Sequence, residues 1–454
     1  MRPNTHGEGR AALAVTLSAT FARQVAAAGI QLVTAVLLAR YLGAADYGRY
    51  MAAQLIPVTL SSLLSSGLPT SLAFFAAREP GSFVVVARRA AWFWVVTTAA
   101  AVLVTSVLIS TMGARLFPSV GERALWWALA SFAPLHLAAL ANGILQGAQA
   151  FRALNLSLLV PPSVTVVIVV VGFWWFGGST ELAVVAWSLG HLAGGVTSAS
   201  ALAWCWRQRR GATAPISRRW FWGYGSTTQV SAVLASVRHR VAHYLVLLIG
   251  GPAATGVYAL AAQLAERLWL LPQAVHTVLL PVLSSRDAAG ADDRQRAIAA
   301  STRIVVLACL AAGSAMWLLV ALFGEYVFGS SFEGLKAPLA VLLVGTAVHS
   351  VTRTVGTYFA ATDRPRINVQ LSSLGLGAIV LAGLALVPPF GALGAALAST
   401  VSYFLPSLLA VQRFSEGEPS RAAMFRPRLG DLGLVWKGVR RSLTHLRRGS
   451  GSAG

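Results

Sequence analysis

Residues 41–50 read Tyr-Leu-Gly-Ala-Ala-Asp-Tyr-Gly-Arg-Tyr, and residues 249–258 read Ile-Gly-Gly-Pro-Ala-Ala-Thr-Gly-Val-Tyr. Displacing the chain by 208 positions lays Gly43 on Gly251, Gly48 on Gly256 and Tyr50 on Tyr258. Each copy reads as a short glycine-rich turn between two long apolar runs. The same displacement carries the apolar runs near 90–112, 124–148, 153–177 and 181–205 onto those near 301–323, 334–358, 365–388 and 391–413. A fixed internal period decides the fold before any other feature does, and here the repeating unit is half the chain. Such a period implies two similar membrane lobes with something held between them.

Composition agrees. Of 454 residues, 56% are hydrophobic and only 11% charged, against about 25% charged in soluble proteins. Apolar stretches of about 20 residues, the length a bilayer core requires, recur from end to end. The alternating segments of about ten residues that build a membrane barrel do not. The expected fold class is therefore all-α integral membrane, with twelve transmembrane helices in two six-helix repeat lobes. The spans are predicted at 14–38, 50–77, 90–112, 124–148, 153–177, 181–205, 226–250, 256–282, 301–323, 334–358, 365–388 and 391–413.

The domain organisation follows. A cytoplasmic arm (1–13) precedes a first lobe (14–205, spans one to six), a basic loop (206–225) and a second lobe (226–413, spans seven to twelve). In the basic tail, 414–454, Leu429, Leu432, Trp436, Val439, Leu443 and Leu446 recur at three- and four-residue steps. That spacing suits an amphipathic helix on an anionic membrane surface. The first apolar run continues past Arg23 to Leu38, beyond the roughly 7–15 residues of a signal-peptide core, and is read as an uncleaved span. Cys205 and Cys309 fall in separate apolar runs, a pattern of neither disulfide framework nor metal site.

The net charge of +21 is not spread evenly. Arginines crowd every second loop: Arg78, Arg88 and Arg89; Arg152; five between Arg207 and Arg219; Arg286, Arg294, Arg296 and Arg303; Arg364 and Arg366. The intervening loops hold only Arg40, Arg49, Arg115, Arg123 and Lys336. Excess Lys and Arg marks the cytoplasmic side. Both termini are thus expected in the cytoplasm, and the basic charge is expected to read membrane orientation rather than nucleic acid. Prolines inside spans, Pro57, Pro69, Pro161, Pro162, Pro272 and Pro406, are expected to bend helices or free carbonyls.

Ionisable groups at membrane depth cost several kcal/mol and usually face a cavity or a partner. They are Arg23 in span one; Arg238, His239, Arg240 and His243 in span seven; Glu266 and Arg267 in span eight; and His349 and Arg353 in span ten. Five arginines face one carboxylate. Thr20, Arg23, Gln24, Ala27, Gln31 and Thr34 share one stripe of span one, and Gln229, Ser236, Arg240 and His243 one stripe of span seven. Guanidinium forks match phosphate and carboxylate oxygens, so this set implies an anionic substrate. The candidate substrate-binding residues are Arg23, Gln31, Arg238, Arg240, His243, Arg267 and Arg353. Glu266 is the coupling candidate, with a counter-ion role favoured. Arg238 lies roughly 200° around the helix from Arg240, so the two are not expected to share a face. His136, His191 and His276 are expected to be packing residues. No G-x-x-x-x-G-K-[ST], H-E-x-x-H or nucleophile elbow occurs. No enzyme activity, catalytic residue, cofactor or metal is therefore expected.

Leu37-Leu-Ala-Arg-Tyr-Leu-Gly-Ala-Ala-Asp-Tyr-Gly-Arg-Tyr50 with Gly67-Leu-Pro69, and Gly256-Val-Tyr258 with Leu271-Pro272 and Leu280-Pro-Val-Leu283, make the chain resemble the multidrug, oligosaccharidyl-lipid and polysaccharide export superfamily. It is most similar to the polysaccharide biosynthesis branch, the lipid-linked oligosaccharide flippases. The resemblance covers nearly the whole chain to about residue 413. It implies lobes arranged as a V around a cationic cavity that opens first inward, then outward. The implied substrate is an undecaprenyl-diphosphate-linked sugar whose diphosphate meets arginines in the cleft while its lipid tail stays in the bilayer. Membrane lipid, a polysaccharide polymerase and glycosyltransferases are the implied partners, and the bacterial cytoplasmic membrane is the implied location. The drug-exporting branch resembles families with an acidic coupling residue in an early span, which spans one to six here lack. Peptidoglycan-precursor flippases usually carry two further spans, also missing. The alternatives are a cation-coupled small-molecule antiporter and a membrane glycosyltransferase or polysaccharide polymerase.

Overall fold

The computed structural model describes residues 5–65, 67–78, 82–208, 226–273, 291–362 and 364–416. All regular structure among them is helical. In order the helices are α1 (Thr5–Ser65), α2 (Leu68–Arg78), α3 (Ser82–Leu116), α4 (Glu122–Ala130), α5 (Phe132–Gly147), α6 (Phe151–Phe176), α7 (Thr180–Gln208), α8 (Ser226–Leu245), α9 (Gly251–Glu266), α10 (Ala291–Phe328), α11 (Lys336–Ala361) and α12 (Pro365–Ser415). A π-turn, Val246–Gly250, joins α8 to α9, and a 3₁₀ turn, Arg267–Trp269, follows α9. Nine helical stretches among the described residues are long and apolar enough to cross a membrane.

Three of those stretches are too long for one crossing. The 61 residues of α1 would reach about 90 Å if straight, three times a hydrocarbon core. A single residue breaks it: Gly43 has φ 72° and ψ 174°. Gly251, its equivalent under the repeat, has φ 77° and ψ −179°. The third break is Gly391 within α12, at φ 53° and ψ −121°. Positive φ at these angles is open to glycine and strained for other residues. The turns expected at 41–50 and 249–258 are thus each made at a single glycine, where two helices meet with no intervening loop. With these breaks, the described helices are consistent with twelve crossings.

Other boundaries differ from expectation. The first helix begins at Thr5, ahead of the predicted start at residue 14. The span predicted at 50–77 is two helices, parted at Gly67, whose φ is +74°. The one at 124–148 is interrupted at Ser131, between α4 and α5. Pro57, Pro161, Pro162 and Pro406 sit inside helices without ending them. The later part of span eight, His276, most of the loop at 206–225 and the tail from residue 417 lie outside the described residues.

The two kinds of loop sort to opposite ends. Arg40 bonds the Tyr326 carbonyl and lies over its ring, Ser331 Oγ accepts from the Ala44 amide at 3.2 Å, and Thr180 donates to Asp46 at 3.0 Å. Gly250 sits beside Gly391. These are all turns poor in basic residues. At the other end Arg364 pairs with Glu416, and Asn368 donates to the Gly356 carbonyl at 3.0 Å.

The repeated stretch makes its closest contact with its own copy. A Cβ on Gly48 would stand 1.9 Å from the Pro252 carbonyl oxygen, and one on Gly256 would stand 1.9 Å from the Ala44 carbonyl oxygen. Displacement by 208 exchanges Ala44 with Pro252 and Gly48 with Gly256, so the contact is reciprocal. Small residues let membrane helices approach backbone to backbone, where van der Waals contact replaces the hydrophobic drive that lipid abolishes. Tyr47 reinforces the crossing, donating from its hydroxyl to Gln263 Oε1 at 3.1 Å.

Of the lone histidines, His136 is packed, whereas His191 is half-buried on a cavity wall. His136 is fully buried, held by Ser65 at 2.8 Å and Thr97 at 3.0 Å and stacked on Phe132. His191 lies against Trp187, with ring centroids 4.4 Å apart.

Candidate functional site

Apart from Arg23, the ionisable groups at membrane depth gather around the 3₁₀ turn that ends α9. Residues two apart lie roughly 200–240° apart around an α-helix or a 3₁₀ turn, so Arg267 and Trp269 leave the turn on different sides. Arg267 reaches α1, donating to Gln31 Oε1 at 2.8 Å. Trp269 turns the other way, into contact with His239 at 4.9 Å between centroids and beneath the Arg353 guanidinium at 5.2 Å. Glu266 lies on the wall of a narrow gap with Arg238, His239, His243 and Tyr258. It forms no ion pair among the described residues, although Arg240, Arg267 and Arg353 all lie within electrostatic range.

Arg238 and Arg240 have different surroundings, as their spacing on α8 requires. Arg238 is 4% exposed. Its guanidinium donates to His349 Nε2 at 3.2 Å and to the Ser402 carbonyl at 3.4 Å, and it lies 5.3 Å from the centre of the Tyr403 ring. His349 stacks on Tyr403 at 4.6 Å, and Tyr403 bonds His239 Nδ1 at 3.4 Å. Arg240 is half-buried and forms no hydrogen bond or ion pair among the described residues. Arg23 is in the same state. His243 is buried against Tyr258, at 4.9 Å between rings.

Two cavities result. One, of about 530 Å³, lies within residues 231–372 and is walled by Arg238, His239, His349 and Arg353. The other, of about 240 Å³, is bounded by the two legs of α1, by α6 and α7, and by Gln263. Its polar groups include Gln31, Gln54, Tyr47, Thr165 and His191, with no Arg, Lys, Asp or Glu among the described wall residues. Among the predicted residues, Arg238 and Arg353 thus share one cavity, Gln31 and Arg267 bridge α1 to the end of α9, and Arg23 and Arg240 stand apart from both cavities.

Sequence reasoning missed Tyr403, Trp269 and Ser402 on the basic side and Gln54 and Gln263 on the neutral side. An aromatic ring among small span residues carries no local signal. The two glutamines were legible as polar groups at depth. Among the described residues, no cluster of three His, Cys, Asp or Glu side chains could hold a metal ion.

The polysaccharide biosynthesis protein family model matches residues 16–286. No curated protein matches the chain in sequence. Among solved structures, the lipid II flippase MurJ in an inward closed conformation is similar in fold, with TM-score 0.71 and 13% identity, covering 93% of this chain and 91% of that one. An inward-facing multidrug resistance MATE family transporter of the MOP superfamily follows, with TM-score 0.66, 16% identity, and 87% and 94% coverage. A MOP superfamily transporter from Pyrococcus furiosus Vc1, described as having a binding pocket of reverse polarity, gives TM-score 0.60, 15% identity, and 91% and 96% coverage.

Proposed function

The chain belongs to the polysaccharide biosynthesis protein family, and from that premise we propose that it is a flippase for a polyprenyl-diphosphate-linked oligosaccharide. It carries this lipid from the inner to the outer leaflet of the bacterial cytoplasmic membrane by alternating access, supplying cell-surface polysaccharide assembly. Two six-helix lobes, 14–205 and 226–413, form a V with both termini in the cytoplasm. The diphosphate crosses between the lobes past Arg23, Gln31, Arg240 and Arg267, and the polyprenyl tail stays in lipid. A polymerase and glycosyltransferases work on either side of the step.

One observation carries this reading: five arginines at membrane depth form no ion pair among the described residues. An uncompensated buried cation is costly and is relieved when an anion arrives. The reciprocal glycine contact supports the paired lobes. Energetics favour the direction, because one negative charge moving outward across an inside-negative membrane releases about 2.3 kcal/mol per 100 mV.

The decisive variant is Arg23→Ala with Arg240→Ala. Two lost charge-assisted contacts, at about 1.5–3 kcal/mol each, predict a fall in transport of about a hundredfold or more. Surface polymer should disappear and lipid-linked sugar should accumulate on the inner leaflet. Normal polymer without accumulation would show that the site is misassigned.

Glu266 motivates the second reading, a cation-coupled antiporter, since a lone carboxylate at depth is a natural proton or sodium carrier. A flippase driven by its substrate's charge needs it only to moderate local positive potential. Glu266→Gln is therefore expected to keep transport within about threefold of the parent, a change worth under 1 kcal/mol. Abolished flux in proteoliposomes would favour the antiporter. One-residue breaks at Gly43, Gly251 and Gly391 leave little loop to house a catalytic carboxylate, which weighs against a transferase or polymerase.

A further inference from the structure

Every described residue on the wall of the 530 Å³ cavity comes from between Ser231 and Ser372. Its size falls in the range of sites for small organic ligands.

Its chemistry is lopsided. Arg238 and Arg353 bring two guanidinium groups to the wall, and no described wall residue is acidic. Glu266 is the nearest carboxylate, on the adjoining gap that shares Arg238 and His239. Arg238 is more than nine-tenths buried, yet its Nε has no hydrogen-bond partner, and neither does His349 Nδ1. Each buried donor or acceptor left unmade costs about 1–3 kcal/mol. Both atoms are enclosed by protein, so what an anion in the cavity would offset is the charge of the two guanidinium groups rather than these unmade bonds. Both guanidinium groups are braced, Arg238 over Tyr403 and Arg353 over Trp269, so they are held in place before a ligand arrives.

The rest of the wall suits hydroxyl groups. Gln273, Asn368, Thr352 and Ser372 supply amides and hydroxyls, and Ser231 and Ser372 already bond each other at 3.2 Å. We infer that this cavity is an oxyanion site for an acidic, hydroxyl-bearing group of monosaccharide size, read by Arg238 and Arg353. A carboxylate on the sugar part of the carried lipid is one source of that chemistry, an assignment that rests on the flippase reading. A free anion from the cytoplasm is the other, and does not.

The test is titration of the detergent-purified full chain with sodium glucuronate, glucose and inorganic phosphate, followed by calorimetry and by tryptophan fluorescence, to which Trp269 contributes. Glucuronate should bind saturably and glucose should not. Arg353→Gln should weaken glucuronate at least about tenfold, as expected for a lost charge-assisted pair, and Arg353→Lys should recover part of it. Arg353 is less buried than Arg238, and size-exclusion profiles show whether its variants remain folded. Phosphate binding as tightly as glucuronate, and lost in the same variant, supports the oxyanion site and identifies the free anion as its source. The proposal falls if neither anion binds, if glucose competes equally, or if Arg353→Gln binds unchanged. The assay needs no transport, so its failure leaves the flippase reading to the Arg23 and Arg240 variants.

Discussion

Gly48→Ala and Gly256→Ala should each disrupt the crossing of α1 and α9, lowering stability by about 3 kcal/mol or more, at the upper end of overpacking costs. The added carbon would lie 1.9 Å from a backbone oxygen, and a backbone atom has no rotamer through which to retreat. The helices would have to part, breaking the Tyr47–Gln263 hydrogen bond as they do. Gly29→Ala is the matched control, because a Cβ there meets nothing within 4 Å. Removing glycine from a helix interior should stabilise that variant by up to about 1 kcal/mol. Thermal unfolding in detergent therefore has opposite signs for the same chemical change. If Gly48→Ala melts with the parent, the contact is looser than described here.

Arg238→Met should hold or raise the melting temperature while abolishing glucuronate or phosphate binding. A guanidinium with 4% exposure and no carboxylate partner among the described residues has been taken out of water at a cost of several kcal/mol. One long hydrogen bond, one imidazole contact and a cation–π contact, worth up to about 2 kcal/mol, offset that incompletely. Methionine is close to arginine in volume, though it ends near the position of Nε, and replacing buried ionic groups by apolar ones of similar volume is often neutral or stabilising by about 1–4 kcal/mol. Binding should fall at least about tenfold. A variant that binds normally would remove Arg238 from the site, and one that unfolds would make it a structural clasp.

Much of this molecule was legible before any coordinates. Hydropathy and the charge of alternate loops are local properties, so helical spans and the sorting of their ends could be read directly. The glycine-rich decapeptides mark the breaks but not their length: at Gly43 and Gly251 helix resumes at once, which composition does not show. At the site, Arg23, Arg238, Arg240 and Arg353 stood out as charges where lipid should be. Tyr403 did not, and Ser402 lies 164 residues from the guanidinium it accepts from. Which residues face one another there is decided by how α12 lies on α8.

The joint at Gly48 and Gly256 has a symmetry built into it. Each side offers the same motif to the other, so the surface fits itself about an approximate twofold axis, as identical subunits do in a dimer. Because the joint is made of glycine and main chain, it places no demand on the side chains elsewhere: the hollow beside α1 is walled by amides, hydroxyls and His191, and the one beside α8 by arginines.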